Sequence, residues 1–263
     1  MEKSESELLK EKLFNNKEIG WKKVDEKQKE EIFKFSDEYI YYLNKCKTER
    51  EAVNFTTEIL LENNFKNIEE CETLKAGDKI FYSNRGKSMY IAVVGEEDIA
   101  KGLNIIGAHI DSPRLDLKPN PLYEENGFAY LKTHYYGGIK KYQWTTIPLS
   151  LHGVIVKTNG EKIKINIGED EQDPIFTITD LLPHLAMEQM EKKLKDGVTG
   201  ENLNILIGSI PYTDTKISEA IKLNILALLN EKYGITEKDL MSSELELVPA
   251  FKARRGSDGW CER

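Results

Sequence analysis

The sequence predicts an α/β fold in which a sheet-and-helix domain is interrupted by a mainly β domain that also carries helices. Three observations predict it. Between Ile32 and Leu60, apolar residues return every three or four positions, the period of helices with one packed face. From Lys79 the pattern changes to short apolar runs with turn residues between them, which is how strands read. Beyond Pro113 the texture changes again: Pro and Gly punctuate a polar stretch, a hairpin signal follows, and two helical patterns come after it.

Ile32, Phe35, Tyr39, Leu43 and Cys46 mark one apolar helix face. Thr48-Glu49-Arg50-Glu51 has the Thr-x-x-Glu pattern of a capping box. It opens a second helix with Ala52, Phe55, Ile59 and Leu60 inward, ended by Asn63-Asn64. Residues 79–82 and 88–94 form two strands joined by a turn at Asn84-Arg85-Gly86. Residues 102–108, Gly-Leu-Asn-Ile-Ile-Gly-Ala, form a third. Its apolar continuity predicts burial on both faces, with helices either side of the sheet.

Pro119, Pro121 and Gly127 place a polar connector after that strand. Val154-Ile155-Val156 and Ile163-Lys164-Ile165 flank Thr158-Asn159-Gly160-Glu161, and Asn-Gly is a type I′ hairpin signal. A helix is expected over about 179–195, stopped by Asp196-Gly197. Another is expected over about 214–233, with Gly234 closing it in the left-handed conformation. Residues 243–250 alternate as a strand and are expected to return to the first sheet. The division is therefore 1–113, an inserted 114–242, and 243–263 as return strand and tail.

Composition excludes several classes. With 263 residues, 40% hydrophobic and 31% charged, the chain is globular rather than disordered. A formal net charge of -8 argues against nucleic acid, which is bound through Lys/Arg fields. No run approaches the roughly 18–20 apolar residues of a membrane helix. The acidic start, Met1-Glu2-Lys3-Ser4-Glu5, lacks the apolar core of a secretory signal. Cys46, Cys71 and Cys261 are widely spaced and odd in number, so free thiols in a reducing cytoplasm are expected.

The residues that could carry chemistry centre on His109-Ile110-Asp111. In a strand, residues i and i+2 point to one side, so Asp111 can orient the His109 imidazole and leave its other nitrogen for a metal. The pair also sits where α/β sheets keep their ligands, beyond the strand's carboxyl end. On the tripeptide alone, a hydrogen-bonded loop histidine is the favoured reading. His184 follows Pro183 at an expected helix start, where a cap or interface role is favoured. His134 and His152 read as structural. Gly137-Gly138 matches no phosphate loop and reads as a tight turn. The run Glu169-Asp170-Glu171-Gln172-Asp173 reads as a solvated turn.

Taken together, these segments resemble a known family. Gly107-Ala108-His109-Ile110-Asp111-Ser112-Pro113-Arg114-Leu115 resembles the G-A-H-x-D-S-P signature of the aspartyl aminopeptidases, which are dinuclear zinc enzymes. Thr133 to Ile139, with its Tyr136-Gly137-Gly138, resembles a second family segment, and Thr146 to Val156 the stretch after it. Leu182-Pro183-His184-Leu185-Ala186 and Glu244 to Ala253 resemble two more. The similarity runs from about residue 20 to Arg254 and follows the bacterial branch.

The resemblance implies a zinc-peptidase-type catalytic domain interrupted by an oligomerisation domain. It implies His109 as ligand of one metal, Asp111 as its catalytic orienting partner, and His184 as a substrate-side residue reaching across a subunit interface. It implies two zinc ions per complete site, with cobalt or manganese as alternatives, peptide substrates and a homo-oligomer, without membrane or nucleic-acid partners. After Arg254 the family continues to a bridging Asp, a Glu pair, a further Asp and a final His, whereas this chain reads Arg255 to Arg263. A frameshift, a premature stop or a split gene is the expectation that follows. The function expected is release of N-terminal residues from peptides by two-metal water activation, in a truncated chain inactive by itself. The alternative is a non-catalytic oligomerisation or regulatory protein derived from the family.

Overall fold

The computed structural model describes residues 4–15, 17–213 and 217–256. They fall into two compact units: residues up to Asn44 together with those from Ala253, and Lys45–Lys252.

In the first unit, helix α1 (Glu5–Leu13) is closed at its start by a reciprocal Ser4–Glu7 capping box. Helix α2 (Glu26–Lys45) is the first helix expected from the sequence, but not with the expected face inward. Ile32, Phe35, Tyr39 and Leu43 are exposed. The neighbouring stripe does the packing: Trp21 stacks on Phe33 at 6.0 Å and the Arg255 guanidinium lies 4.8 Å from the same ring. Two apolar stripes run side by side on α2, so periodicity alone could not choose between them.

The second unit begins with α3 (Glu49–Glu62), whose N-cap Thr48 accepts from the Glu51 amide. The reciprocal half of the box goes elsewhere, because the Glu51 carboxylate accepts from the Lys47 amide at 3.0 Å instead. Strands β1 (Lys66–Asn67), β2 (Lys79–Asn84) and β3 (Ser88–Val93) form a small sheet in that order. The turn between β2 and β3 falls where expected. Arg85 and Gly86 have φ of 57° and 67°, the type I′ pair that matches strand twist.

The third expected strand is not formed. Residues 102–108 have no regular structure, and Ile106 is 98% exposed. A strand exists only where a neighbour takes up its backbone hydrogen bonds, and no described segment lies alongside this one. The expected burial between helices is likewise absent within the described residues.

The second sheet is six-stranded and wholly antiparallel, in the order β7-β6-β9-β4-β5-β8. Its strands are β4 (Arg114–Glu125), β5 (Phe128–Tyr136), β6 (Leu149–Val156), β7 (Lys162–Ile167), β8 (Ile205–Gly208) and β9 (Ser243–Pro249). The expected polar connector is thus the long β4–β5 hairpin. Its prolines sit at a bulge between Leu117 and Leu122, where a missing N–H costs no ladder bond. The type I′ turn is Asn126-Gly127, with φ of 51° and 80°. At Asn159-Gly160 only Gly160 has positive φ, and that loop closes through Gly160 N to Lys157 O at 2.9 Å.

β9 does not rejoin the small sheet. It lies between β4 and β6 and supplies Leu245, Leu247 and Val248 to the core. Its close approach to β6 requires Gly153. At φ +136°, a Cβ there would lie 1.9 Å from the Glu244 carbonyl oxygen. The core proper is aliphatic, built on Leu115, Leu149, Ile155, Ile165, Leu203, Ile205 and Leu247.

The helix expected over 179–195 shrinks to one turn, α4 (Met187–Met190). Leu181, Leu182, Leu185, Met187, Met190 and Leu194 are exposed there, so the packing that stabilises most protein helices is missing. Helix α5 (Ala220–Tyr233) ends at a left-handed Gly234 as expected. Residues 214–216 of its expected start, and 257–263 of the tail with Cys261, lie outside the described residues. No described helix is long and apolar enough to cross a membrane.

Candidate metal centre

His109 and Asp111 lie in the irregular segment just before β4, so backbone pairing does not fix them. They still meet. His109 Nδ1 lies 3.0 Å from the Asp111 carbonyl oxygen and 3.4 Å from its carboxylate. A carbonyl oxygen can only accept, so Nδ1 carries the proton and the Nε2 lone pair is open. The side chain is 86% exposed. An imidazole oriented through one nitrogen and open at the other fits a zinc ligand. The rest of a zinc site is not gathered around it: no second His, Cys or carboxylate ligand converges on Nε2 among the described residues.

Behind this loop stands a buried charge network that the sequence reading missed. Arg114, the first residue of β4, is 7% exposed. Its guanidinium binds Asp116 at 2.7 Å and Glu49 at 3.2 Å, with Glu246 at 3.6 Å. It also lies 4.0 Å from the centre of the Tyr136 ring, favourable for a cation on an aromatic face. Tyr136 faces Arg114 across the β4–β5 pair, and the nearby Asp111 charge raises its phenol above the ordinary range.

Glu49, Glu244 and Glu246 bring one carboxylate oxygen each within 4.8 Å of one another, which suits a cation. That cation is already protein: Arg114 binds Glu49, Lys87 binds Glu49 and Glu244, and Arg50 Nε binds Glu244 at 2.9 Å. Glu246 is the exception. Its Oε2 meets no hydrogen-bond donor among the described residues. Burial first and the Glu49 charge second push its carboxyl up to about 7, against the pull of Arg114. A carboxyl that keeps its proton near neutrality needs no further cation.

A second network surrounds His152, which is 2% exposed on β6. Glu51 lies 2.8 Å from its Nδ1 and Glu169 3.0 Å from its Nε2. Burial alone would lower the imidazole, but the two carboxylates raise it. Glu169 also binds Lys47 and Ser150, each at 2.6 Å. Burial works against its ionisation, yet hydrogen bonds from His152, Lys47 and Ser150 bring it down to about 2. His152 is structural, as expected. Glu169 is not part of a solvated turn but the hub that joins this strand to the start of α3.

His184 sits in a turn within the exposed apolar segment 181–190. No hydrogen bond or ion pair joins it to His109 or Asp111 among the described residues. His134 is exposed and stacks on Tyr135 at 5.5 Å. Gly137, at φ 80°, turns the chain as expected.

A family model described as aminopeptidase I zinc metalloprotease (M18) matches residues 42–258, four residues past the point where the sequence was expected to depart. A probable M18 family aminopeptidase 1 of Clostridium acetobutylicum is 51% identical over 253 residues, covering 95% of this chain and 53% of its own length. One from Thermotoga maritima is 48% identical over 228 residues, covering 87% and 50%. The crystal structure of the M18 aminopeptidase from Thermotoga maritima superimposes with a TM-score of 0.85 at 47% identity, over 90% of this chain and 52% of that one. Aminopeptidase I from Clostridium acetobutylicum gives 0.84 at 47% identity, over 94% and 55%. The chain thus spans about half the length of the relatives it matches.

Proposed function

The chain belongs to the aminopeptidase I zinc metalloprotease family, and on that premise we propose that it supplies one imidazole of a zinc aminopeptidase centre, His109, with Asp111 as its orienting partner. The observation that carries the reading is the His109–Asp111 geometry: Nδ1 is occupied and Nε2 is open. Bound zinc would polarise a scissile carbonyl and acidify water. This chain's own residues hold the imidazole tautomer that can receive it. The reaction class is release of N-terminal residues from peptides. The order of the segments supports 1–113 as catalytic part and 114–242 as inserted part, with the reservation that β9 pairs within the latter's sheet.

A single imidazole does not make the site of three protein ligands that catalytic zinc needs. The 263-residue chain is therefore expected to be hydrolytically silent by itself. The test is equilibrium dialysis against zinc together with hydrolysis of an aminoacyl p-nitroanilide. Zinc taken up by the wild type and lost in His109→Ala supports the reading, and equal uptake refutes it. Metal-dependent release of p-nitroaniline by the pure chain would overturn the inactivity.

The alternative, an oligomerisation protein derived from the family, draws on one observation. Leu181, Leu182, Leu185, Met187 and Met190 surround His184 and are all exposed, which suits a face met by a second copy. It also supports His184 as an interface residue. Sedimentation of the chain tests this: a monomer at all concentrations removes the second-copy reading.

A further inference from the structure

We propose that the cavity between helix α5 and the six-stranded sheet is a binding site for a small, uncharged, apolar molecule. Its lining lies wholly within Lys45–Lys252, and the inference stands apart from the reading of His109.

The cavity has a volume of about 620 Å³. One wall is the sheet, where Ile155, Ile165 and Leu245 line it and are buried. The other is a face of α5, where Ile225, Leu228 and Leu229 line it at helical spacing. Protein interiors leave few voids larger than a water molecule, and a space of this size is that of a ligand pocket. Water does not suit it. A buried water takes about two to four polar partners. Among the described residues, the polar side chains of the lining are Glu231, Lys232 and Tyr233, all in the last turn of α5. An apolar cavity without polar partners stays dry and accepts an apolar molecule.

The mouth decides the charge of that molecule. Pro174, Leu228, Glu231 and Lys232 are the exposed members of the lining, so the opening lies between the end of α5 and the loop before Phe176. Lys232 is already engaged there. Its ammonium lies 3.6 Å from Asp173 and 5.4 Å from the centre of the Tyr233 ring. Asp173 is itself held by the Gly168 amide at 3.0 Å, and Glu231 adds a second carboxylate to the rim. An anionic headgroup would meet two like charges around a cation that has its partner. A cationic one would find Glu231 only at the exposed surface, where pairing is worth little. The complement of this mouth is a molecule without charge.

The test titrates N-phenylnaphthylamine, an uncharged fluorophore that brightens in apolar surroundings, into the full chain. Saturable binding of one molecule per chain is expected. Leu229→Trp fills the cavity and should weaken that binding by about tenfold or more. Leu229→Phe, a smaller filling, carries the same test if circular dichroism shows that the Trp variant does not fold. Lys232→Ala should change the affinity by less than about twofold, because an exposed charge contributes little. Decanol should displace the fluorophore at lower concentration than decanoate, which has the same chain and a charged head. Absence of saturable binding overturns the proposal, as does binding that ignores a folded Leu229 variant. Decanoate that displaces better than decanol overturns the uncharged ligand. Binding that falls as the chain self-associates at higher protein concentration gives the cavity to a second copy and overturns the proposal too.

Discussion

Glu246→Gln should stabilise this protein at alkaline pH and leave it nearly unchanged in mild acid. Glu246 is 2% exposed, its Oε2 is unpaired among the described residues, and Arg114 reaches its other oxygen only at 3.6 Å. Burial and Glu49 move its carboxyl from an ordinary 4.5 to about 7. Between those values the unfolded chain has released this proton and the folded protein still binds it. Stability therefore falls as pH rises from 4.5 to 7, and the loss is complete above 7. A shift of that size corresponds to about 3 kcal/mol. Gln has no proton to lose, so the variant should gain about 2–3 kcal/mol over the wild type at pH 8 and almost nothing near pH 4.5. Urea unfolding followed by circular dichroism, with wild type and variant at both pH values, gives the difference directly. An increment that is the same at both pH values would refute the reasoning, as would a variant destabilised at pH 8.

Three further outcomes follow from the same structure. His152→Gln should cost about 3–5 kcal/mol in urea unfolding near pH 6, because it leaves Glu51 and Glu169 without their shared cation. In the wild type, the raised His152 makes this contribution fully present below pH 6.5 and lost as pH rises through the folded value. Gly153→Ala should cost about 3 kcal/mol or more, since its Cβ strikes the Glu244 carbonyl on a left-handed backbone; a thermal melt close to wild type would contradict it. Cys46, pushed up to about 12 by burial with Glu51 and Glu58 adding to it, should resist iodoacetamide at pH 8; mass spectrometry of the alkylated protein checks it.

The sequence made local features legible and hid distant ones. The β2–β3 turn and the Gly234 stop are decided within a few residues and form as expected, and Thr48 caps α3 although the reciprocal Glu51 half of the expected box does not form. The His109-x-Asp111 pair was readable for the same reason, and the contact forms even without the strand expected to create it. The charge networks were not readable. Arg114 meets Glu49 across 65 residues, Glu51 meets His152 across 101, and Arg50 meets Glu244 across 194. Only one weak signal existed: Glu244 and Glu246 alternate with leucines on a strand that turns out to be central, where a carboxylate must find a partner or keep a proton. The Asn159-Gly160 signal predicts a type I′ turn but closes a longer loop, and the type I′ turn forms instead at Asn126-Gly127, inside the stretch expected to be a polar connector. The 102–108 run is apolar as strands are, yet a strand is a relation between two segments, and in a chain half the length of its relatives no described segment answers it.

The central claim is that His109 presents its Nε2 to a metal. The most direct measurement is the nitrogen spectrum of the four histidines as zinc is added. The account predicts that His109 Nε2 moves first, while His152, locked between two carboxylates, stays still. Zinc that moves another histidine first, or none at His109, would contradict it.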